Sequence, residues 1–423
     1  MEIKQKIIFY GLCIFSIYVG FYFNENSSGG ANFDYNFLIP FTLNFSKNFE
    51  QGLNYFLSNT GTLVHSPIFY ILIGYLIKIT KSLYFTKLLY ILVCCSLPLI
   101  FYKILKLKYK KDNQIIFLFS LVIFLSPYFR TSAIWLLSDN LSLIFFGLSI
   151  YYFNKSSRSN DINFKDSFLC LFFLILCCYI RYYYCLFSLY YLFFFVRKFR
   201  QKEFFLLIFF LFILSVPAFF YFYYIFFNFD FISIVTNVSR LNIYNNGLVI
   251  LSILLFYLFP FCLLQKKSFF QYLKNNKNFL SIFFVLIFSF YLITQFVFEN
   301  SVDFSTKGGG VFMKIANLSN IDPLLFLSVT SFLSLIILDF FFKEKRLQNY
   351  SLLIILIFSF PLFIIYQKYF DPLFFLFFFG LIKSREIEKI FLNGNFFLFI
   401  VGFYFSFFFL FSLIYYSKGL YLL

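Results

Sequence analysis

The sequence predicts an all-α, polytopic membrane protein, and three observations lead to this fold class. Hydrophobic residues make up 61% of the 423 residues, whereas only 13% are charged. The apolar residues form runs of about 20, the length that a helix needs to cross about 30 Å of hydrocarbon. The runs do not alternate apolar and polar residues, as the strands of a membrane barrel do. Helices satisfy their own backbone polar groups, so we predict helices throughout the membrane.

Thirteen apolar runs are predicted to be spans. They cover residues 7–23, 84–105, 114–129, 140–154, 167–180, 182–196, 204–226, 247–264, 279–297, 323–342, 350–366, 371–383 and 395–416. The segment Pro67–Ile79 has only about 13 residues, which is typical of an interfacial or re-entrant helix. We divide the chain into a transmembrane module at 1–226, with a large first outer loop at 24–85 containing interfacial helices, and a variable transmembrane module at 227–423.

The distribution of Lys and Arg predicts the orientation. If Pro67–Ile79 does not cross, the loops and flanks on the N-terminal side hold 24 of the 35 Lys and Arg. Basic loops remain in the cytoplasm, so the N-terminus is predicted to be cytoplasmic and the C-terminus to lie outside. The net charge of +17 thus reflects topology, and we predict no nucleic-acid partner. The compact loops favour a bacterial inner membrane over the endoplasmic reticulum.

The cysteines and the first span place further bounds on the protein. All eight Cys fall within apolar runs and none forms a CxxC pair, so neither disulfides nor zinc sites are predicted. The first apolar run is not followed by a small-residue cleavage site. We therefore predict a retained span and not a signal peptide.

Charged residues collect at the predicted outer ends of the spans, which is also the depth of a lipid-linked phosphate. A transferase that uses a polyprenyl-phosphate sugar needs a carboxylate base for the acceptor hydroxyl at this depth. It also needs cations that hold the departing phosphate. Asp34, in the first outer loop, fits the first requirement. The candidates for the second requirement are Arg130, Arg181 and Lys368.

Four short motifs resemble the GT-C superfamily of integral-membrane glycosyltransferases, which includes protein mannosyltransferases, aminoarabinose transferases and lipid-linked-oligosaccharide glucosyltransferases. In that family an acidic residue follows the first span, and an (H/K)-x-P element precedes a short apolar helix. The second outer loop carries Ser-Pro and a later Asp, and a basic-Tyr-x-x-Pro element precedes a late span. The matching segments are Gly29–Tyr35, His65-Ser66-Pro67, Ser126-Pro127 with Ser138-Asp139, and Lys368-Tyr369-Phe370-Asp371-Pro372.

The resemblance implies a GT-C-like, inverting transferase that moves a sugar from a polyprenyl-phosphate donor to a glycan, lipid or protein acceptor on the extracytoplasmic face. It implies catalytic roles for Asp34, as the base, and for Asp139. It implies substrate-binding roles for His65, Lys368 and Tyr369, whereas Arg130 and Arg181 are assigned to substrate binding as the cations that the chemistry requires. A single Asp in the first loop and the lack of a large soluble domain after the last span depart from the family. They leave open the acceptor and any need for Mg²⁺ or Mn²⁺; no other cofactor is predicted.

Each candidate residue also fits a purely structural role. Asp34 fits a solvated carboxylate, and Asp139 fits a helix N-cap. Arg130 fits a headgroup anchor, and Lys368 with Asp371 fits an ion pair. His65 fits a structural histidine. The run Gly308-Gly309-Gly310 is predicted to be a flexible loop, because no strand or P-loop pattern surrounds it.

Two other classes of membrane protein compete with the transferase. A transporter or lipid flippase places ionisable residues near the bilayer midplane and often contains internal repeats, and the sequence has neither feature. An O-antigen polymerase or ligase carries its large outer loop late in the chain. The largest predicted outer loop here follows the first span, which favours the transferase.

Overall fold

The described part of the chain is entirely helical, which confirms the all-α class. The structure is a computed structural model that describes residues 2–59, 66–109, 113–158, 163–228, 243–297, 308–319, 321–362, 364–391 and 396–420. Within these ranges no strand occurs. The chain divides into two compact units, one of residues 1–231 with 404–423 and one of residues 232–403. We call them the first and the second unit; the predicted modules 1–226 and 227–423 stay a prediction.

The first unit begins with a long helix and continues with three shorter ones. Its helices are α1 (Ile3–Tyr22), α2 (Ala31–Lys47), α3 (Phe49–Ser58), α4 (Ile68–Thr80), α5 (Leu83–Cys94), α6 (Ser96–Tyr109), α7 (Asn113–Ser120), α8 (Pro127–Ile134), α9 (Ser138–Arg158), α10 (Phe164–Ile180), α11 (Phe187–Val196) and α12 (Gln201–Asn228). Short 3₁₀ helices at Leu121–Leu125 and Tyr182–Tyr184 precede α8 and α11.

The second unit contains a similar mixture of long and short helices. They are α13 (Ile243–Leu264), α14 (Lys266–Asn275), α15 (Lys277–Val297), α16 (Gly310–Leu318), α17 (Pro323–Phe342), α18 (Arg346–Phe358) and α19 (Arg385–Ile390). A 3₁₀ turn at Gln367–Tyr369 precedes a turn of α-helix at Leu373–Phe375, which continues as a π-helix at Leu376–Leu381. Helix α20 (Phe396–Leu420) belongs to the second unit up to residue 403 and to the first unit from residue 404.

Several described helices have the length and composition of membrane spans. Five qualify alone, at Ile3–Tyr22, Leu83–Tyr109, Gln201–Tyr221, Asn245–Leu264 and Pro323–Phe342. A sixth candidate is the pair Gln114–Leu125 and Pro127–Ile134, which is bent by 65°. These helices are compatible with a membrane protein. The count of thirteen spans and the orientation of the N-terminus stay predictions.

The predicted spans 350–366 and 371–383 contain less helix than expected. Helix α18 ends at Phe358 and has 13 residues, so it extends about 20 Å, less than the roughly 30 Å of hydrocarbon. Pro361 follows closely, and a proline disfavours helix in the residue before it. In the run 371–383 the helical residues begin only after Pro372, whose peptide bond with Asp371 is cis.

The three helices that follow α1 pack closely because two glycines lie against one phenylalanine. A Cβ atom on Gly52 of α3 would meet Phe45 Cδ1 at 2.2 Å. One on Gly74 of α4 would meet Phe45 Cβ at 2.7 Å and the carbonyl oxygen of Thr42 at 2.9 Å. Phe45, on α2, is consequently buried between both neighbours. The glycines of this region therefore allow α2, α3 and α4 to pack against one another as a small helical subdomain.

Small polar residues join the longer helices in both units. In the first unit, Ser149 Oγ of α9 donates to the carbonyl oxygen of Cys170 on α10 at 2.8 Å. In the second unit, Ser331 Oγ of α17 donates to the carbonyl oxygen of Leu248 on α13 at 2.7 Å. Such residues allow close helix approach in an apolar environment and supply hydrogen bonds there.

The glycine run at the start of α16 is a packed segment of the second unit. Gly308, Gly309 and Gly310 all have positive φ, between 73° and 87°. The backbone N–H of Gly309 donates to the carbonyl oxygen of Ile365 at 2.8 Å. A Cβ on Gly308 would meet Ile364 Cγ2 at 2.4 Å, so the close approach requires glycine.

Candidate functional site

A partly buried ion pair joins the segment after α1 to α8. Arg130 Nε donates to Glu25 Oε1 at 2.8 Å, and Arg130 Nη2 donates to Oε2 at 2.6 Å. The same guanidinium donates to the hydroxyl and the backbone carbonyl of Ser16 on α1, both at 2.9 Å. A two-pronged contact of this kind fixes both distance and orientation. Arg130 is thus a member of a network as well as a basic residue at a boundary.

The local sequence explains how this pair is positioned. Asn24 adopts a left-handed conformation with φ of 52°, and the N–H of Glu25 closes α1 by donating to Gly20 at 2.8 Å. Ser126 caps α8, because its Oγ accepts the N–H of Phe129 at 3.0 Å, and Pro127 occupies the first helical position. The Ser-Pro motif is therefore the start of the helix that carries Arg130.

An aromatic cluster lies at the end of α8, and we call Trp135, Tyr35 and Lys87 the Trp135 cluster. Trp135 Nε1 donates to the backbone carbonyl of Glu25 at 2.8 Å. The rings of Trp135 and Tyr35 are 5.4 Å apart, which attaches α2 to α8. The Lys87 ammonium lies 4.0 Å from the centre of the Tyr35 ring and 4.9 Å from that of Trp135. Burial raises the pKa of Tyr35, so its ring faces the ammonium as a neutral phenol.

The turn between α8 and α9 has a strained backbone. Leu136 has a φ of 51°, a conformation that costs a branched side chain about 1–3 kcal/mol. Its neighbours hold the turn, because Leu137 N donates to the carbonyl oxygen of Ser132 at 3.0 Å and Tyr90 OH donates to the carbonyl oxygen of Leu137. This strained turn fixes the direction of α9 relative to α8. It thereby fixes the position of Asp139, at the start of α9, relative to the Trp135 cluster.

A second ion pair joins the beginning of α9 to the end of α10. Arg181 Nη2 lies 3.0 Å from Asp139 Oδ1 and 3.1 Å from Oδ2. Helix α9 begins at Ser138, so Asp139 lies in its first turn and not in the N-cap position of the structural interpretation. Asn140 Nδ2 donates to the carbonyl oxygen of Phe129 at 2.8 Å and joins α9 to α8. The structure therefore brings together two of the predicted site residues, Asp139 and Arg181.

Asp34 lies in the first turn of α2, one residue before Tyr35 of the Trp135 cluster. Its side chain is half-buried, and its N–H donates to the carbonyl oxygen of Gly30 at 3.0 Å. Negative charge is stabilised at this end of a helix by the backbone dipoles. The carboxylate is therefore held on an ordered helix and not in an irregular loop.

A polar groove runs along the other end of α2 and along α3. It is open, has a volume of about 580 Å³, and is lined by Asn44, Asn48, Glu50, Gln51, Asn54 and Tyr55. Gln51 Nε2 donates to Asn44 Oδ1 at 3.4 Å, and Asn48 Oδ1 caps α3. Amides both donate and accept, so such a lining matches a ligand rich in hydroxyl groups.

The remaining predicted residues lie in the second unit or outside the described residues. Lys368 and Tyr369 belong to the second unit, where the Lys368 ammonium lies 5.4 Å from the Tyr366 ring centre and 5.9 Å from that of Tyr369. His65 lies outside the described residues. Within the described ranges no three His, Cys, Asp or Glu side chains come together to hold a metal ion.

Sequence reasoning did not single out Glu25 and Lys87. Glu25 lies three residues after the end of α1, close to the position where the resemblance places an acidic residue, but the sequence motif indicated Asp34. Lys87 was counted only as one of the basic residues outside the cytoplasmic loops. A charge within the first turns of an apolar helix was the signal that could have identified Lys87.

No protein-family model, curated protein or solved structure matches this chain. The resemblance to the GT-C superfamily consequently depends on the order of the short motifs alone.

Proposed function

We propose that this protein is a membrane glycosyltransferase that moves a sugar from a polyprenyl-phosphate donor to an acceptor hydroxyl on the extracytoplasmic face, with Asp34 as the base. One observation carries the proposal: a carboxylate and an aromatic ring that contacts a cation are adjacent residues of one helix. Asp34 lies in the first turn of α2, and the next residue, Tyr35, holds the ammonium of Lys87 against its ring. A transferase of this type needs both charges.

Lys87, Arg130 and Arg181, the candidate cations of the first unit, are suited to different tasks. Arg130 and Arg181 each already hold a carboxylate, that of Glu25 and that of Asp139. Among the described residues Lys87 makes no ion pair and contacts two aromatic faces. An ammonium without a carboxylate partner retains its N–H donors for an anion. We therefore assign the phosphate of the donor to Lys87 first, and an orienting role to the two arginines.

The proposed reaction is a single displacement. The Asp34 carboxylate accepts the proton of the acceptor hydroxyl while that oxygen attacks the anomeric carbon of the sugar. The bond from the anomeric carbon to the phosphate oxygen breaks, and polyprenyl phosphate leaves with the electron pair. Lys87 stabilises the charge that develops on the departing phosphate. Attack opposite to the leaving group inverts the anomeric centre.

Other parts of the first unit suit the substrates. The amide-lined groove on α2 and α3 suits the hydroxyl groups of a sugar or a glycan acceptor. The exposed apolar faces of α1, which include Ile8, Leu12 and Phe15, suit contact with lipid chains. His65, Lys368 and Tyr369 remain proposed substrate contacts on the strength of the resemblance alone.

The test is a transfer assay with purified, full-length protein in proteoliposomes. Polyprenyl-phosphate sugars are supplied, and released polyprenyl phosphate is measured for the wild type and for Asp34→Asn. Loss of a general base is expected to slow turnover by about 10²–10⁴-fold. Glu203→Gln, an exposed carboxylate at the start of α12, serves as the matched control and is expected to keep full turnover. Undiminished turnover in Asp34→Asn would exclude Asp34 as the base.

The same preparation separates the transferase from its alternatives. A transporter or lipid flippase would move the intact lipid-linked sugar between leaflets and release no polyprenyl phosphate. A polymerase would extend the glycan on its lipid carrier and yield products of increasing length. Release of one polyprenyl phosphate for each sugar transferred, with an inverted anomeric configuration in the product, is the result that the proposal requires.

A further inference from the structure

Helix α14 (Lys266–Asn275), in the second unit, presents a basic face with an aromatic residue at its centre. Lys266, Phe270 and Lys274 are spaced by four residues and so follow one stripe of the helix, and Lys267 lies beside that stripe. All four side chains are exposed, and Phe270 has 67% of its surface accessible. Lys277, at the start of α15, extends the basic charge. No acidic residue occurs from 265 to 278.

The opposite face of α14 is fixed to the second unit. Tyr272 is buried, and its hydroxyl donates to the carboxylate of Asp339 on α17. The Phe269 ring packs against Phe340 with centres 5.4 Å apart, and the Tyr272 ring packs against the same residue at 5.6 Å. These contacts prevent α14 from turning about its axis. The lysines and Phe270 are therefore held facing away from the unit.

The network around Asp339 makes this orientation rigid. Asp339 is fully buried and also accepts hydrogen bonds from Tyr350 OH at 2.8 Å and from Arg346 Nη2 at 2.9 Å. A buried carboxylate with three donors is expensive to disturb, because loss of a donor leaves charge without compensation. The basic face of α14 is thus a preformed feature of the second unit.

We infer that this face of α14 binds the headgroups of anionic phospholipids. Only Gln265 separates the helix from α13, whose segment Asn245–Leu264 is long and apolar enough to span a membrane. A helix at that point lies at the level of the headgroups. Its lysines complement lipid phosphates, and the exposed ring of Phe270 inserts among the upper acyl chains, as in interfacial helices. Among the described residues these lysines make no ion pair that would compete.

The first experiment measures lipid binding to the full-length protein in detergent by native mass spectrometry. Phosphatidylglycerol and phosphatidylcholine with identical chains are titrated in parallel. The variant Lys266→Gln/Lys267→Gln/Lys274→Gln is expected to bind phosphatidylglycerol at least about tenfold more weakly, since each lysine is attracted to an anionic lipid surface. Binding of phosphatidylcholine is expected to remain unchanged.

A matched variant controls for the change in net charge. Lys4, Lys165 and Lys202 are three exposed lysines of the first unit in other loops of the predicted cytoplasmic side. Their triple change to Gln is expected to leave phosphatidylglycerol binding within about twofold of the wild type. An equal loss in both triple variants, or no loss in either, would overturn the assignment to α14. Displacement of phosphatidylglycerol by millimolar inorganic phosphate would also overturn it, because the ligand would then be phosphate alone and not a lipid.

A second measurement does not depend on the lysine variants. Trp135 is the single Trp of the chain, so Phe270→Trp in a Trp135→Phe background gives one reporter on α14. In vesicles with phosphatidylglycerol its emission is expected at shorter wavelength than in vesicles of phosphatidylcholine alone, with stronger quenching by lipids brominated near the headgroup. Emission typical of water and no quenching in either vesicle would contradict the inference.

Discussion

Asp339 of the second unit and Asp139 of the first differ in burial and in the donors that they receive. In the second unit, Asp339 has no exposed surface and receives donors from Tyr272, Tyr350 and Arg346. In the first unit, the Asp139 side chain keeps 22% of its surface exposed, and its ion pair is with a single arginine, Arg181. The Glu25–Arg130 pair is intermediate, with 16% and 18% of the side chains exposed.

This difference separates structural charge from charge that is available to a ligand. A sealed carboxylate with several donors maintains the packing of its neighbours, and a ligand has no access to it. A partly exposed pair can rearrange when an anion or a hydroxyl arrives, at a smaller cost in free energy. We therefore propose the partly exposed pairs of the first unit for function and regard the Asp339 network as the support for α14.

The largest effect on stability is expected from Asp339→Asn. The change leaves Arg346 and two tyrosine hydroxyls facing an amide, and breaking a buried pair costs about 3–5 kcal/mol. The thermal midpoint of the purified protein should fall by on the order of 10 °C. Glu344→Gln is the control, because its pair with Arg385 is exposed and worth at most about 1 kcal/mol. Equal midpoints for the two variants would contradict the comparison.

A smaller effect is expected when the Glu25–Arg130 pair is displaced without loss of charge. In Gly20→Ala the new Cβ would lie 2.1 Å from Glu25 Oε2 and 3.1 Å from Arg130 Nη2, so the carboxylate must move. Overpacking of this kind costs about 1–3 kcal/mol. Gly11→Ala, on the same helix with no atom within 4 Å of its Cβ, should be neutral or stabilising. Thermal melts of both variants measure the difference, and a destabilised Gly11→Ala would point to the helix and not to the pair.

A pH effect is expected in the second unit from Glu386. Burial alone would raise the pKa of this carboxyl, but Lys343 and Lys389, at 2.6 and 2.9 Å, outweigh burial and hold the pKa below its ordinary value of 4.5. A lowered pKa in the folded state stabilises the fold above pH 4.5, and that contribution is lost as the pH falls below 4.5. Melts from pH 7 to pH 3 should show a shallower acid decline for Glu386→Gln than for the wild type. Glu388→Gln, exposed on the same helix, should retain the decline of the wild type.

The smallest effect on stability is expected from Lys87→Gln. The ammonium contacts the rings of Tyr35 and Trp135, and such contacts contribute about 0.5–2 kcal/mol. Because Lys87 is assigned to the donor phosphate, the same variant should raise KM for the donor and lower kcat. Lys78→Gln, exposed on α4, should change neither constant. A Lys87→Gln protein with the turnover of the wild type would restrict Lys87 to packing.

Helix positions could be predicted from the sequence because a long apolar run in lipid can satisfy its own backbone hydrogen bonds only as a helix. Pro323–Phe342 was predicted as a span and is one helix with those residues. The shortened helix before Pro361 was missed because hydropathy does not register where a proline ends a helix. The close packing of α2, α3 and α4 depends on where two glycines face Phe45, and a pattern of apolar residues contains no such distances.

The candidate site was predicted by residue type but not by partner. Asp139 and Arg181 were both proposed for the site, yet 41 residues separate them and nothing in the sequence pairs them. Glu25 and Lys87 were missed because each contacts a residue that is distant in sequence. Glu25 pairs with Arg130, and Lys87 lies over the ring of Trp135. Pairing across helices depends on the crossing of α1, α5 and α8, and only the folded chain supplies it.

The most direct test of the account measures turnover and thermal stability together in Asp34→Asn and Asp339→Asn. Asp34→Asn is expected to lose about 10²–10⁴-fold in release of polyprenyl phosphate and to keep the thermal midpoint of the wild type. Asp339→Asn is expected to melt at a lower temperature but to keep its turnover per folded molecule. Full turnover in Asp34→Asn, together with lost turnover in folded Asp339→Asn, would contradict the account, because the chemistry would then belong to the second unit.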